Sequence, residues 1–153
     1  MGLFSCKRRI AMNITTNRKA RHDYFILDSL EVGIILQGTE IKALRAKGAS
    51  LDGSYATVDN GEVWLNDCHI QEYTHGNVFN HKPKRRRKLL LRKREIGKVI
   101  GHAKIKGHSL VPLRLYFKRG LVKVELGICK GKQMHDKRQA IKLREATREI
   151  KND

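Results

Sequence analysis

Residues 110–128 read LVPLRLYFKRGLVKVELGI, and they set the fold class. Leu113, Leu115 and Phe117 alternate with Arg114, Tyr116 and Lys118; after Lys118-Arg119-Gly120, Val122, Val124, Leu126 and Ile128 alternate with Lys123, Glu125 and Gly127. A period of two with one apolar face is the pattern of a half-buried strand. A short connection containing Gly joins two such strands as a hairpin. Pro112 has no N–H to give to a ladder, which places an edge or a bulge near the start of the first strand.

The same signals recur upstream. Tyr55–Val58 and Glu62–Ile70 flank Asp59-Asn60-Gly61, and Asn-Gly is the strongest short hairpin signal. Tyr24–Leu27 and Val32–Leu36 read as two further strands, the second ending at Gln37-Gly38. Two helices are expected. Thr39–Ala46 is short; in Lys93–Lys106, Ile96, Val99, Ile100 and Ala103 fall on one stripe opposite Lys98 and Lys104, with Gly107 as a stop. Gly97 and Gly101 each weaken that helix by about 1 kcal/mol relative to Ala, so it needs a sheet to pack on.

At 153 residues the chain is one domain long, and its 40% hydrophobic content suffices for one core. No repeat is apparent. The expected organisation is a basic arm over 1–14, a β-barrel body over 15–131 and a tail over 132–153. From Lys132 onward apolar residues are too sparse to offset the entropy of ordering, so the tail is expected to be disordered when free and able to become helical on a partner.

Charge narrows the function. Lys+Arg 33 against Asp+Glu 15 gives +18, with a pI near 10.2 and a mean hydropathy of −0.52. No apolar run approaches the ~18 residues of a spanning helix. Such a cationic excess self-repels unless an anion answers it, which puts nucleic acid first and an anionic membrane surface second. Residues 28–72 hold eight acids and three bases, whereas residues 82–106 hold twelve bases and one acid. The anion is therefore expected to meet one face. Cys6, Cys68 and Cys129 are too scattered for a disulfide framework or a CxxC metal site. Met1–Ile14 lacks the apolar region of a secretory signal. A cytoplasmic protein is expected.

Individual sites carry competing readings. The run Pro83-Lys84-Arg85-Arg86-Arg87-Lys88 reads as a solvated loop, a localisation signal or a phosphate clamp, and its continuity with Leu89-Leu90-Leu91 and the basic helix favours the clamp. Cys68-His69, His75 and His81 do not repeat a zinc-ligand spacing, so no metal or other cofactor is expected. No Walker loop, GxSxG or HExxH occurs, which leaves a nuclease without specific support. The nine aromatic residues are too few for a long stacking platform. Folded RNA, read through shape and phosphates, suits the composition better.

A longer pattern then stands out. Asn17-Arg18-Lys19-Ala20-Arg21-His22-Asp23-Tyr24, Glu31-Val32-Gly33-Ile34 and Gln37-Gly38-Thr39-Glu40-Ile41-Lys42 come first. Ser54-Tyr55, Asn60-Gly61-Glu62-Val63-Trp64, His75-Gly76-Asn77 and Arg87-Lys88-Leu89-Leu90-Leu91 follow, then Leu115-Tyr116-Phe117-Lys118 and Gly131-Lys132-Gln133-Met134-His135-Asp136-Lys137-Arg138. In this order and spacing, over about Asn17 to Arg144, the chain resembles the SmpB, or SsrA-binding protein, family. The resemblance implies an antiparallel oligonucleotide-binding-fold β-barrel with flanking helices. It also implies an RNA-binding adaptor that takes the tRNA-like domain of transfer-messenger RNA, with elongation factor Tu, to stalled ribosomes for rescue and nascent-chain tagging. Such a protein is not an enzyme.

By the same resemblance, Asn17, Arg18, Lys19, His22, Glu31, Leu90 and Arg92 face the RNA. Asn17 and Glu31 can bond base edges or ribose hydroxyls, His22 can stack, and the cations hold phosphates. Glu31 could alternatively form a salt bridge to Arg18 or Arg21. Arg92 stands where the family often has His or Asn, which implies a phosphate contact. The family's tail element, which enters the small-subunit decoding centre, corresponds to Gly131, Lys132, His135, Asp136, Lys137 and Arg138. The tail then departs from the family: Leu143 and Ala146 stand where a Glu and a Trp are common. A structural ribosomal protein remains the competing non-enzymatic class. It would stay on subunits through high-salt washing, whereas the adaptor would co-purify with one small RNA.

Overall fold

The computed structural model describes residues 12–74, 80–132 and 144. Among these, seven strands and three helices alternate. The N-terminal part runs β1 (Met12–Thr16), α1 (Arg18–Asp23), β2 (Tyr24–Ile34), α2 (Gly38–Lys47), β3 (Tyr55–Asp59) and β4 (Glu62–Asn66). The rest is β5 (Arg87–Leu90), α3 (Lys93–Ala103), β6 (His108–Lys118) and β7 (Leu121–Gly131). Strand order is β1-β6-β3-β4-β5-β2-β7, all antiparallel, and a further β6–β7 pairing closes the sheet on itself. The result is the expected barrel with flanking helices. Closure joins β6, β3, β4, β5, β2 and β7 in a ring, with β1 added at the outside of β6 as an edge strand.

Both tight hairpins turn on two residues of positive φ, as a type I′ turn requires. They are Asn60 (51°) with Gly61 (74°) and Arg119 (53°) with Gly120 (78°). The barrel interior is filled by Val32, Val63, Leu65, Leu89, Leu110, Leu115, Val124, Leu126 and Ile128, all buried. These are the alternate residues of their strands.

Several expectations are corrected. Tyr24–Leu27 and Val32–Leu36 are not separate strands; one eleven-residue β2 runs through both and ends at Ile34, short of Leu36, with a register shift between Ile26 and Asp28. The strand expected over Glu62–Ile70 stops at Asn66, because Asp67 takes φ 59° and leaves the extended region. Two elements had no counterpart in the sequence reading. One is α1; the other is β1, which takes Met12–Ile14 into a pairing with β6.

Pro112 marks a bulge, as expected: Pro112 pairs with Leu126 and Arg114 with Glu125, leaving Leu113 as the extra residue. The bulge breaks the alternation read for this strand. Leu115 points into the barrel, while Leu113 joins Val111, Cys129 and Ala20 in a second cluster beneath α1. Gly127 makes that possible, since a Cβ there would lie 2.9 Å from Leu113 Cδ1. Helix α3 ends at Ala103, three residues early, and Gly107 at φ 86° turns the chain into β6. Its Val99 is fully buried, and the helix packs on β6 and β3 as its two glycines require.

Candidate nucleic-acid interface

The register of the barrel composes one outer face residue by residue. Asn13, Tyr116, Lys123, Gly33 and Leu90 face one another in a single row across β1, β6, β7, β2 and β5. A neighbouring row holds Thr16, Arg114, Glu125 and Glu31. The first row covers four strand spacings, roughly 19 Å at ~4.8 Å each.

Glu31 stands directly opposite Glu125, and like charges in that position repel. The neighbours answer both. Arg114 Nε donates to Glu125 at 2.8 Å, and the Arg114 guanidinium lies 4.4 Å from the Tyr116 ring centroid. Tyr116 Oη donates to Glu31 at 2.6 Å, and Lys118 Nζ donates to both Glu31 oxygens at 3.1 Å. The Tyr116 hydrogen bond, aided by Lys118, holds the Glu31 carboxyl below the usual range against a partial desolvation. Burial, reinforced by Glu31, pushes the Tyr116 phenol upward, so it stays a donor. The salt bridge to Glu31 therefore comes from Lys118; none to Arg18 or Arg21 occurs. Glu31 is left ionised and exposed, with acceptor capacity facing outward.

Leu90 lies beside this acid. It is half exposed, and it rests over Gly33, whose hypothetical Cβ would come within 3.3 Å of Leu90 Cβ. Arg92 follows, exposed, at the N-cap of α3, where its backbone N–H donates to Glu95 Oε1 at 3.0 Å. Glu31, Leu90 and Arg92 thus share one region.

The α1 residues form a second group. Arg18 and Lys19 are exposed and, among the described residues, carry no ion pair. His22 is partly exposed, with Nδ1 3.0 Å from Asp23 Oδ1. Asn17 differs: it is buried, and its amide works inside the fold. Asn17 Oδ1 accepts from Ala20 N at 3.1 Å as the helix cap, while Nδ2 donates to Pro112 O at 3.0 Å and Leu51 O at 3.3 Å. It fixes α1 on the barrel and has no donor left over.

The basic run is not a phosphate clamp. Arg85 and Arg87 both turn inward onto the Glu40 carboxylate, which is fully buried with Arg87. Arg87 also donates to Cys68 O at 2.7 Å and Pro83 O at 3.1 Å. Arg86 pairs with Asp59 at 3.1 Å and lies 4.4 Å from the Trp64 ring centroid; Lys88 pairs with Glu62 at 3.0 Å. Lys98 pairs with Asp28. Five of the twelve bases in residues 82–106 are thus paired with four of the eight acids in residues 28–72, so part of the basic stretch is neutralised across the barrel. Among the described residues, Lys82, Lys84, Arg92, Lys93, Arg94, Lys104 and Lys106 of the same stretch, and Arg18, Lys19 and Arg21 of α1, are exposed without an ion pair.

Among the described residues, no three His, Cys, Asp or Glu side chains gather as metal ligands, and no helix is long and apolar enough to cross a membrane. Burial pushes the thiols of Cys68 and Cys129 up to about 11, which keeps them protonated at neutral pH. Lys132, the first tail residue, is anchored: its N–H donates to Asp23 O at 2.9 Å and its ammonium lies 4.9 Å from the Phe25 ring centroid. His135, Asp136, Lys137 and Arg138, the departures at Leu143 and Ala146, the His75-Gly76-Asn77 motif and most of the arm lie outside the described residues.

The sequence reading did not single out Tyr116, Arg114, Lys118 and Lys123, which share the Glu31 face. The signal was present: a two-residue loop at Arg119-Gly120 fixes Tyr116 opposite Lys123 and Arg114 opposite Glu125 by counting outward. Nothing in the sequence set β2 beside β7 and so brought Glu31 to them.

Comparison with known proteins adds a family. The model of the SmpB protein family matches residues 14–153. The SsrA-binding protein of Acetivibrio thermocellus is 56% identical over 137 residues, covering 90% of this chain and 89% of the relative. That of Desulforudis audaxviator is 54% identical, covering 90% of each. The one from Corynebacterium urealyticum is 57% identical, covering 90% of this chain and 77% of the relative. A solved structure described as "tmRNA-SmpB: a journey to the center of the bacterial ribosome" contains a similar chain, with TM-score 0.68 and 44% identity over 84% of this chain and 94% of that one.

Proposed function

The chain belongs to the SmpB family, and on that premise we propose that it binds the tRNA-like domain of transfer-messenger RNA and brings it to stalled ribosomes. The similar relatives are named for binding SsrA, and the solved likeness joins its protein to tmRNA and the bacterial ribosome. In this chain one observation supports the RNA-binding part most: Glu31 is kept ionised and outward-facing within a predominantly cationic surface. Charge alone would favour a cation at that position. A buttressed carboxylate there discriminates, accepting from base N–H groups or ribose hydroxyls while phosphates rest on the surrounding cations.

Each residue then has a task. Glu31 reads, Leu90 offers an apolar contact beside it, and Arg92, Arg18 and Lys19 hold phosphates. His22 stacks on a base. Asn17 contributes indirectly by fixing α1. The arm ahead of β1 supplements the electrostatic attraction, and the barrel body from β1 to β7 carries the RNA. The tail over 132–153 acts in the decoding centre through Lys132, His135, Asp136, Lys137 and Arg138. Delivery involves elongation factor Tu and takes place in the cytoplasm. The protein forms no bond itself, needs no cofactor and is not an enzyme.

Truncation after Lys132 tests the division of labour. Binding of the tRNA-like domain should stay within about twofold of the full chain, while rescue of ribosomes on a message lacking a stop codon should be lost. Retained rescue would refute the tail's role, and lost RNA binding would refute the barrel's. Contact with on the order of six phosphates also implies a loss of ~10³-fold in affinity between 50 and 200 mM salt by the duplex relation.

A further inference from the structure

A groove of about 650 Å³ lies between α1, β3 and the start of β6, away from the Glu31 surface. Resting on the RNA-binding function proposed above, we propose that this groove is a pocket for one unstacked nucleotide of the bound RNA, its base against the Tyr55 ring and its phosphate on Lys19.

Four features point to that ligand. The size falls within the ~300–1,000 Å³ of small-ligand sites. Tyr55 lines the groove and leaves 44% of its surface exposed, although it belongs to a strand paired residue for residue with β4. An open aromatic ring on a rigid strand is a stacking surface, and every base has a π-face to offer it. The polar lining has capacity to spare, because the Tyr55 and Ser109 hydroxyls make no hydrogen bond among the described residues. Finally, Lys19, exposed and without an ion pair among the described residues, lines the groove and offers a cation to a phosphate; exposed Lys104 follows the lining residue Ala103, and Asp23 also lines the groove.

A single-stranded element fits this arrangement better than a duplex, since a paired base keeps its faces covered by its neighbours. From Ser109 to Tyr116 along β6 is roughly 23 Å at ~3.3 Å per residue, so the groove and the Glu31 surface sit at opposite ends of one strand. An RNA spanning both would be held at two separated points.

Binding of the full chain to the tRNA-like domain of transfer-messenger RNA and to an equal-length perfectly paired hairpin tests the assignment. Tyr55→Ala should weaken the tRNA-like domain by about 5- to 100-fold, the range of one base–aromatic stack, and the hairpin by less than about twofold. Tyr55→Phe keeps the ring and should stay within about threefold of the unsubstituted chain. Lys19→Ala should lower the salt slope for the tRNA-like domain by about one. An unchanged affinity for Tyr55→Ala, equal losses on both RNAs, or a Phe variant as weak as the Ala variant would overturn the pocket. Failure of the unsubstituted chain to prefer the tRNA-like domain would instead overturn the function on which the pocket rests.

Discussion

Glu40→Ala should be among the most destabilising single changes in this barrel. The Glu40 carboxylate is fully buried and receives Arg87, itself fully buried, together with Arg85 and the Gln37 N–H at 2.8 Å. Removing it leaves the Arg87 guanidinium in the interior with the carbonyls of Cys68 and Pro83 as its remaining partners. Breaking a buried ion pair from one side costs about 3–5 kcal/mol. Domains of this size are stable by only about 5–15 kcal/mol, so the variant should lose a large share of its stability. Urea unfolding of the full chain, followed by Trp64 fluorescence and far-ultraviolet circular dichroism, measures the difference. The double variant Glu40→Leu with Arg87→Met removes both charges and should recover more than half of the loss, limited by the two carbonyls that forfeit a donor at about 1 kcal/mol each. The pH dependence follows from the same cluster. Burial raises the Glu40 carboxyl, but the Gln37 N–H, Arg85 and Arg87 outweigh it, and the net shift is downward. A carboxyl lowered on folding binds fewer protons in the native state, so its stabilisation is complete above the ordinary value of 4.5 and is lost as pH falls below it. Glu40→Gln should flatten that acid limb. A cost for Glu40→Ala below about 1 kcal/mol, with an unchanged acid limb for Glu40→Gln, would refute the reasoning.

Two further outcomes can be checked directly. Glu31→Ala should weaken the tRNA-like domain of transfer-messenger RNA about tenfold, on the scale of one charge-assisted hydrogen bond, while leaving or tightening a generic hairpin; filter binding of both RNAs decides, and equal loss on both contradicts discrimination by this acid. Gly127→Ala should destabilise the chain by about 1–3 kcal/mol, because the new Cβ would press on Leu113 at 2.9 Å in a buried cluster. A thermal midpoint equal to that of the unsubstituted chain would contradict it.

Local chemistry was legible in the sequence to the extent that it was periodic. The 110–128 hairpin, the Asn60-Gly61 turn, the bulge at Pro112 and both longer helices follow from alternation, turn residues and stripe spacing. What failed needed tertiary information. β1 and α1 are short, and they are held by pairing with β6 and by the Asn17 cap rather than by propensity. Charge blocks along the chain looked like opposed faces, yet folding set Asp28, Glu40, Asp59 and Glu62 against Lys98, Arg85, Arg86, Arg87 and Lys88. The seven positions expected to face RNA came from family resemblance alone. The fold brings Glu31, Leu90 and Arg92 together, carries Arg18, Lys19 and His22 on α1, and turns Asn17 inward.

Sequencing the RNA that stays with the full chain through purification from its own cells addresses the adaptor role most directly. One small structured RNA ending in a tRNA-like fold should dominate the bound fraction, and Glu31→Ala should deplete it. Ribosomal RNA in subunit proportions, or a mixture with no enriched species, would contradict that role.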